Sequence, residues 1–205
     1  MTNPIFIFIH LVLNVVNSAG YFGIFLGMAI ESSFIPFPSE IILIPAGALI
    51  STGKLNFLPV FLAALFGSIA GAVFNYLIAF YLGRKTTEYV VDKYGKMFFI
   101  SKKDIEKSDE YFKKHGEITI FVGRLIPIIR QLISLPAGFS KMNFNKFLIY
   151  SSLGAGLWSL FLIYLGYFFG EHSQFILDHF GAMNFILVTI SVVIILIYAF
   201  VKKKI

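Results

Sequence analysis

The chain has no cysteine, few charges and only four histidines in 205 residues. The missing cysteine excludes a disulfide framework, a thiol nucleophile and a thiolate metal site, and it leaves the redox compartment unread. The histidines (His10, His115, His172, His179) are scattered without metal-ligand spacing, so no metal site is expected. No G-x-S-x-G, phosphate-binding glycine loop or H-E-x-x-H stretch occurs, which argues against a hydrolase or a nucleotide-driven pump. A membrane phosphatase would also want a histidine beside its arginines, and none is near them in sequence. The expectation is a protein that is not an enzyme and needs no cofactor. Charged residues make up 14% of the chain against 58% hydrophobic, with a mean hydropathy of +0.82. Soluble domains are about a quarter charged, so this is read as an all-α integral membrane protein. The net charge of +6 would point to nucleic acid in a soluble protein. Here lysines flanking membrane segments account for it, and no nucleic acid is expected.

What the chain has in quantity is long uncharged runs. Residues 55–83, 147–170 and 180–201 hold no Lys, Arg, Asp or Glu, and each is long enough to cross a bilayer. Residues 1–19 are also free of those residues and lack the basic start of a signal peptide. There His10, Asn14 and Asn17 make a polar stripe on a helix too short to span, so an interfacial helix is expected. Residues 84–117 are the opposite, with nine Lys or Arg and seven acids. They read as an aqueous, amphipathic, largely helical loop, more a solvated connector than a docking surface.

Two apolar stretches remain, 20–50 and 118–139, both broken by proline and both charged. If neither crosses, the 84–117 loop, Lys141, Lys146 and the Lys202-Lys203-Lys204 tail share one side, the cytoplasm. Letting only one of them cross spoils that partition. Both are therefore read as re-entrant helical hairpins. A repeat supports this: Pro36 and Pro45-Ala46-Gly47 match Pro127 and Pro136-Ala137-Gly138 at an offset of 91. The match resumes at 87, with Lys54-Leu55-Asn56-Phe57 against Lys141-Met142-Asn143-Phe144, then Gly67 with Gly154 and Gly83 with Gly170. One domain is expected: interfacial helix 1–19, repeat 20–83, loop 84–117, repeat 118–170 and a last spanning helix 180–201. A hairpin plus one crossing inverts the second copy, the build of many secondary transporters.

Irregular backbone at membrane depth is tolerated only against protein or a wet cavity, so Pro36, Pro38, Pro127 and Pro136 are read as hairpin breaks away from lipid. The first hairpin carries Glu31 and Glu40; the second carries Arg124, Arg130 and Gln131. A charge at mid-bilayer costs about 2.5–3.5 kcal/mol on insertion scales, so four of them need partners. One reading pairs the acids with the arginines as a structural pin. The favoured one gives Arg124, Arg130 and Gln131 a phosphate to bind, and gives Glu31 and Glu40 protons to handle. Asn75, Tyr76 and Trp158 either line a cavity or pack helices. Gly67 and Gly71 are spaced for close helix packing.

The motifs E-S-S-F-I-P-F-P-S-E (Glu31 to Glu40) and F-V-G-R-L-I-P-I-I-R (Phe121 to Arg130) resemble the DedA family, also called the SNARE-associated or VTT-domain superfamily. Pro136-Ala137-Gly138 and Gly154 to Trp158 fit as well, and the likeness covers roughly residues 20 to 170. The resemblance implies facing re-entrant hairpins, essential embedded acids and arginines, dependence on the proton gradient, and movement of lipid between leaflets. Pro38-Ser39-Glu40 stands where many members have Pro-Gly-Asp, and Gly71-Ala72 where many have Asp or Asn after the glycine. The function expected is a proton-coupled translocase returning undecaprenyl phosphate across the bacterial cytoplasmic membrane. Alternatives are a phosphatidylethanolamine flippase or scramblase, a proton-coupled antiporter of small cations, and a scaffold that transports nothing. The expected partners are a membrane lipid and protons, with a second copy of the chain as a further candidate.

Overall fold

The computed structural model describes residues 19–33, 38–98, 102–127 and 129–168, with backbone alone over 83–98 and 102–109 and at 113. The interfacial helix expected before residue 19, Pro36 and the last spanning helix at 180–201 lie outside the described residues. Among the described residues the chain forms helices and no strand. In order they are α1 (Ala19–Glu31), α2 (Glu40–Ser51), α3 (Phe57–Phe98), α4 (Lys102–Leu125), α5 (Ile129–Leu132), α6 (Ser134–Phe139) and α7 (Phe144–Phe168).

Two stretches, Phe57–Leu82 of α3 and Phe144–Phe168 of α7, are long and apolar enough to cross a membrane. At 1.5 Å per residue the 12 residues of α2 reach only about 18 Å, short of a hydrocarbon core of about 30 Å. The sequence placed a boundary at Gly83-Arg84, but α3 passes straight through it to Phe98, 42 residues in all. Likewise α4 runs unbroken across residue 118. A change from apolar to charged side chains marks where water begins, and it says nothing about where the backbone turns.

The helices cross through glycines. A methyl group on Gly47 of α2 would strike the Ile163 carbonyl of α7, and one on Gly166 of α7 would strike the Ile44 carbonyl of α2. Gly138 of α6 sits in the same way against the Tyr76 carbonyl and Ala79 of α3. Gly67 and Gly71 of α3 admit the Phe25 and Ala29 carbonyls of α1, and Gly154 of α7 admits Phe121 and Arg124 of α4. So α1 leans on α3 while α2 leans on α7, and α4 leans on α7 while α6 leans on α3.

Proline is handled differently in the two halves. Pro45 lies inside α2, whereas Pro136, expected at a break, lies in the first turn of α6. That turn has no use for its missing N–H, so the proline is accommodated without ending a helix. Pro38 and Pro127 do lie in the turns before α2 and α5.

The C-terminal turns of α2 and α6 close in the same way. Lys54 N–H bonds Leu49 O and Gly53 N–H bonds Ile50 O; Met142 N–H bonds Ala137 O and Lys141 N–H bonds Gly138 O. Both are Schellman caps, which need a left-handed residue just past the helix end. Gly53 fills that place at φ 73°, and Lys141 fills it at φ 52°. Lys54 and Lys141, matched in sequence, thus do not hold the same place: Lys141 stands where the other turn has Gly53.

Two apolar clusters form the interior. One joins Ile24 and Met28 to Ile42, Leu43, Val60, Ala64, Leu162 and Ile163; the other joins Ala72 and Tyr76 to Ile120, Ile133, Ala137 and Phe147. The outside is just as apolar, with Phe22, Phe66, Phe74, Leu153 and Tyr164 more than half exposed. An exterior of large hydrophobics around an interior that holds charges is the reverse of a soluble protein and suits a lipid surround.

Candidate functional site

The turns that end α1 and begin α2 and α5 bring together side chains a bilayer should exclude. Glu31 is 2% exposed, Arg124 3%, Glu40 5% and Arg130 6%, and the four formal charges sum to zero. None of them belongs to either apolar cluster.

Arg130 is the hub. Its Nη2 lies 2.5 Å from Glu31 Oε1 and donates to Ser39 Oγ at 2.7 Å. The guanidinium carbon sits 5.3 Å from the centre of the Trp158 ring, and Trp158 Nε1 donates to the same Ser39 oxygen at 3.3 Å. The contact with Glu31 is an ion pair without a directed hydrogen bond, since no N–H points at Oε1. Oε2 accepts from Ser32 Oγ at 2.9 Å. Ser39 is the N-cap residue of α2 but makes no capping bond with its side chain. A hydroxyl that ordinarily stabilises a helix start is here turned to Arg130 and Trp158.

Arg124 reaches this region from the end of α4, donating from Nη2 to Ser134 Oγ at 3.0 Å. Its Nε has no hydrogen-bond partner among the described residues. Glu40 makes no ion pair among the described residues, although Arg130 attracts it and Glu31 repels it. The sequence left a structural pin of two Glu–Arg pairs open; among the described residues the one pair within this group joins Glu31 to Arg130.

Asn75 of α3 ties the two turns together. Its Nδ2 donates to Ser32 O at 3.1 Å and to Gln131 O at 3.2 Å, while Oδ1 is buried with no hydrogen-bond partner among the described residues. Asn75→Ala should therefore leave two carbonyls unbridged and cost about 2 kcal/mol, read as a lower unfolding midpoint in detergent. Gln131 thus enters through its backbone carbonyl. Tyr76 packs instead of lining a cavity: its ring stacks on Phe147 at 4.6 Å and on Phe80 at 5.9 Å, and its hydroxyl donates to Met142 O.

Among the described residues, three of the five buried polar atoms without a hydrogen bond (Glu31 Oε1, Asn75 Oδ1, Arg124 Nε) belong to this group. Buried polar atoms without a directed hydrogen bond are costly, so their concentration in one place sets it apart from a core that is only packed. Ser32, Ser39 and Ser134 were not singled out from sequence, where a serine beside a charged motif carries no signal of its own.

The VTT-domain family model matches residues 37–168, which takes in Glu40, Arg124, Arg130, Asn75 and Trp158. The chain belongs to the VTT-domain (DedA) family. It is a membrane protein of that family, and its relatives are bacterial. A Lactococcus lactis protein named alkaline phosphatase-like protein is 36% identical over 200 residues, covering 95% of this chain and 92% of its own. A Bacillus subtilis protein named undecaprenyl phosphate transporter A is 34% identical over 193 residues, covering 94% and 93%. The Escherichia coli protein DedA is 33% identical over 135 residues, covering 65% and 59%. No solved structure matches this VTT-domain chain significantly.

Proposed function

We propose that this protein carries undecaprenyl phosphate across the bacterial cytoplasmic membrane, coupled to protons. The observation that carries the reading is the buried hub at Arg130, whose Nη2 is shared by Glu31 and Ser39. A buried ion pair is a poor stabiliser, because desolvation offsets most of its attraction. It becomes useful if a ligand can compete for one partner. In this reading a proton taken by Glu31 releases Arg130, and the guanidinium turns its fork to the phosphate oxygens. Arg124, whose Nε has no hydrogen-bond partner among the described residues, is a second donor, and Glu40 the second group to take protons. The similarity to the Bacillus protein named as a transporter of this lipid points the same way.

We further read α1–α2 and α4–α6 as re-entrant hairpins of an inverted repeat, with residues 84–117 and the C-terminus in the cytoplasm. Two spacings support this. Gly47 meets the Ile163 carbonyl as Gly138 meets that of Tyr76, positions related by 91 on the short helices and 87 on the long ones. Ser39 and Arg130 are themselves 91 apart and touch. A residue can touch its own symmetry mate only on the axis, so the hub would lie on the pseudo-two-fold axis between the repeats.

The test is reconstitution of the full chain into liposomes with a pH gradient, comparing flipping of polyprenyl phosphate with that of phosphatidylethanolamine. The gradient should speed the first and leave the second unchanged; a polyprenyl phosphate rate that is the same with and without the gradient would remove the coupling, and equal rates for the two lipids would remove the lipid choice. Arg130→Lys should slow flipping about 10- to 100-fold, because a lysine keeps the charge but loses the planar fork that would meet the phosphate oxygens.

A further inference from the structure

At the level where the apolar run of α3 ends and that of α7 begins, the chain forms a partly open cavity of about 420 Å³ with polar and charged walls. It is lined by Lys114 and Glu117 of α4, by Lys141 and Met142 of the turn after α6, and by Asn143 and Lys146 at the start of α7. Lys141 Nζ lies 5.9 Å from the Phe80 ring, two residues short of the end of the apolar run at Leu82. The cavity therefore opens at the boundary between bilayer and water, on the side of the lysines.

Its charges are uneven. Lys146 is held by Glu117 at 2.5 Å, and that contact, followed by Tyr150, holds the Glu117 carboxyl below the usual range. Lys114 and Lys141 have no acid partner among the described residues, so two of the cavity's ammonium groups stand without an ion pair among those residues. Lys141 is also strained. It occupies the left-handed position of a Schellman cap, which in the matching turn is filled by Gly53. A left-handed backbone disfavours every side chain with a Cβ, and such strain persists where the side chain has work to do. The floor of the cavity is joined to the hub region, because Tyr76 donates to Met142 O and its neighbour Asn75 bridges Ser32 and Gln131.

We propose that this cavity is a second anion site, holding the phosphate group of a lipid headgroup at the membrane surface. Basic pockets beside membrane helices recognise phosphorylated headgroups through lysine charge close to the surface, and they need no buried arginine. The site stands whether or not the hub moves lipid.

The experiment uses the full chain in phosphatidylcholine nanodiscs and spin-labelled phosphatidic acid as the probe, reading the motionally restricted fraction. Lys114→Gln should weaken the preference about five-fold. Lys141→Gly should weaken it by a similar factor while raising the unfolding midpoint, because glycine relieves the backbone. Glu117→Gln should strengthen it by freeing Lys146, and Lys54→Gln, at the other turn, should change nothing. Opposite signs for binding and stability at Lys141 are what a purely structural lysine would not give. Equal binding by wild type, Lys114→Gln and Lys141→Gly would overturn the proposal. Displacement of the probe by millimolar inorganic phosphate would assign the cavity to a soluble anion and overturn the headgroup as its ligand.

Discussion

Arg130→Met should cost about 3–5 kcal/mol of stability and abolish lipid movement, whereas Arg130→Met combined with Glu31→Leu should regain most of the stability and none of the transport. The single change leaves Glu31 charged, 2% exposed and without its cation. That uncompensated charge, more than any lost attraction, is the source of the cost. The double change replaces the pair by apolar groups of similar size, which is often neutral or better for folding. Ser39 is not stranded, because Trp158 Nε1 still donates to it. Unfolding in mixed micelles gives the first quantity and the liposome assay the second. A double variant that still flips polyprenyl phosphate would show that the pair pins the turns and does nothing more.

Gly47→Ala is expected to be nearly as severe, by at least about 3 kcal/mol. The added methyl would meet Ile163 O, Tyr167 N and the Gly166 Cα, all of them backbone atoms of α7. No rotamer change can clear a backbone, so α2 and α7 would have to separate along their whole contact. Gly156→Ala is the control, since its methyl would find only Leu65 and Phe61 side chains at 3.7 and 3.8 Å. It should be neutral or up to about 1 kcal/mol stabilising, through helix propensity. The two melting midpoints in detergent decide it: similar values would mean that α2 and α7 do not cross as closely as described.

These effects also measure what could be read from the sequence. The two long helices were legible because an uncharged run of that length has few other uses, and α7 extends only a few residues beyond the expected start at 147. The ends of the helices were not legible at Gly83 and Ile118, where hydropathy changes but helical hydrogen bonding does not. Glu31, Glu40, Arg124 and Arg130 stood out because charge is rare in this chain, and all four are buried around the same turns. Which acid contacts which arginine was hidden, because that depends on distances of a few ångströms set by glycine contacts far along the chain. Ser39 was hidden for a different reason: its chemistry is ordinary, and only its spacing of 91 from Arg130 singles it out. Tyr76 read equally well as a cavity wall or a packing residue, and stacking on Phe147 decided for packing. Lys141 looked equivalent to Lys54 until the backbone placed it in the left-handed cap.

The Glu31–Arg130 contact has a bearing on how the protein is made. Roughly a hundred residues separate the acid from its cation. At about 5–20 residues per second, the ribosome delivers Arg130 roughly 5–20 s after Glu31. During that interval residues 32–129 are synthesised, α3 is completed, and Glu31 lacks the guanidinium it finally faces. The α1–α2 segment therefore cannot reach its final place as a finished unit. The pair can close only once α4 and α5 have been made, and the order of synthesis becomes part of what the buried pair demands.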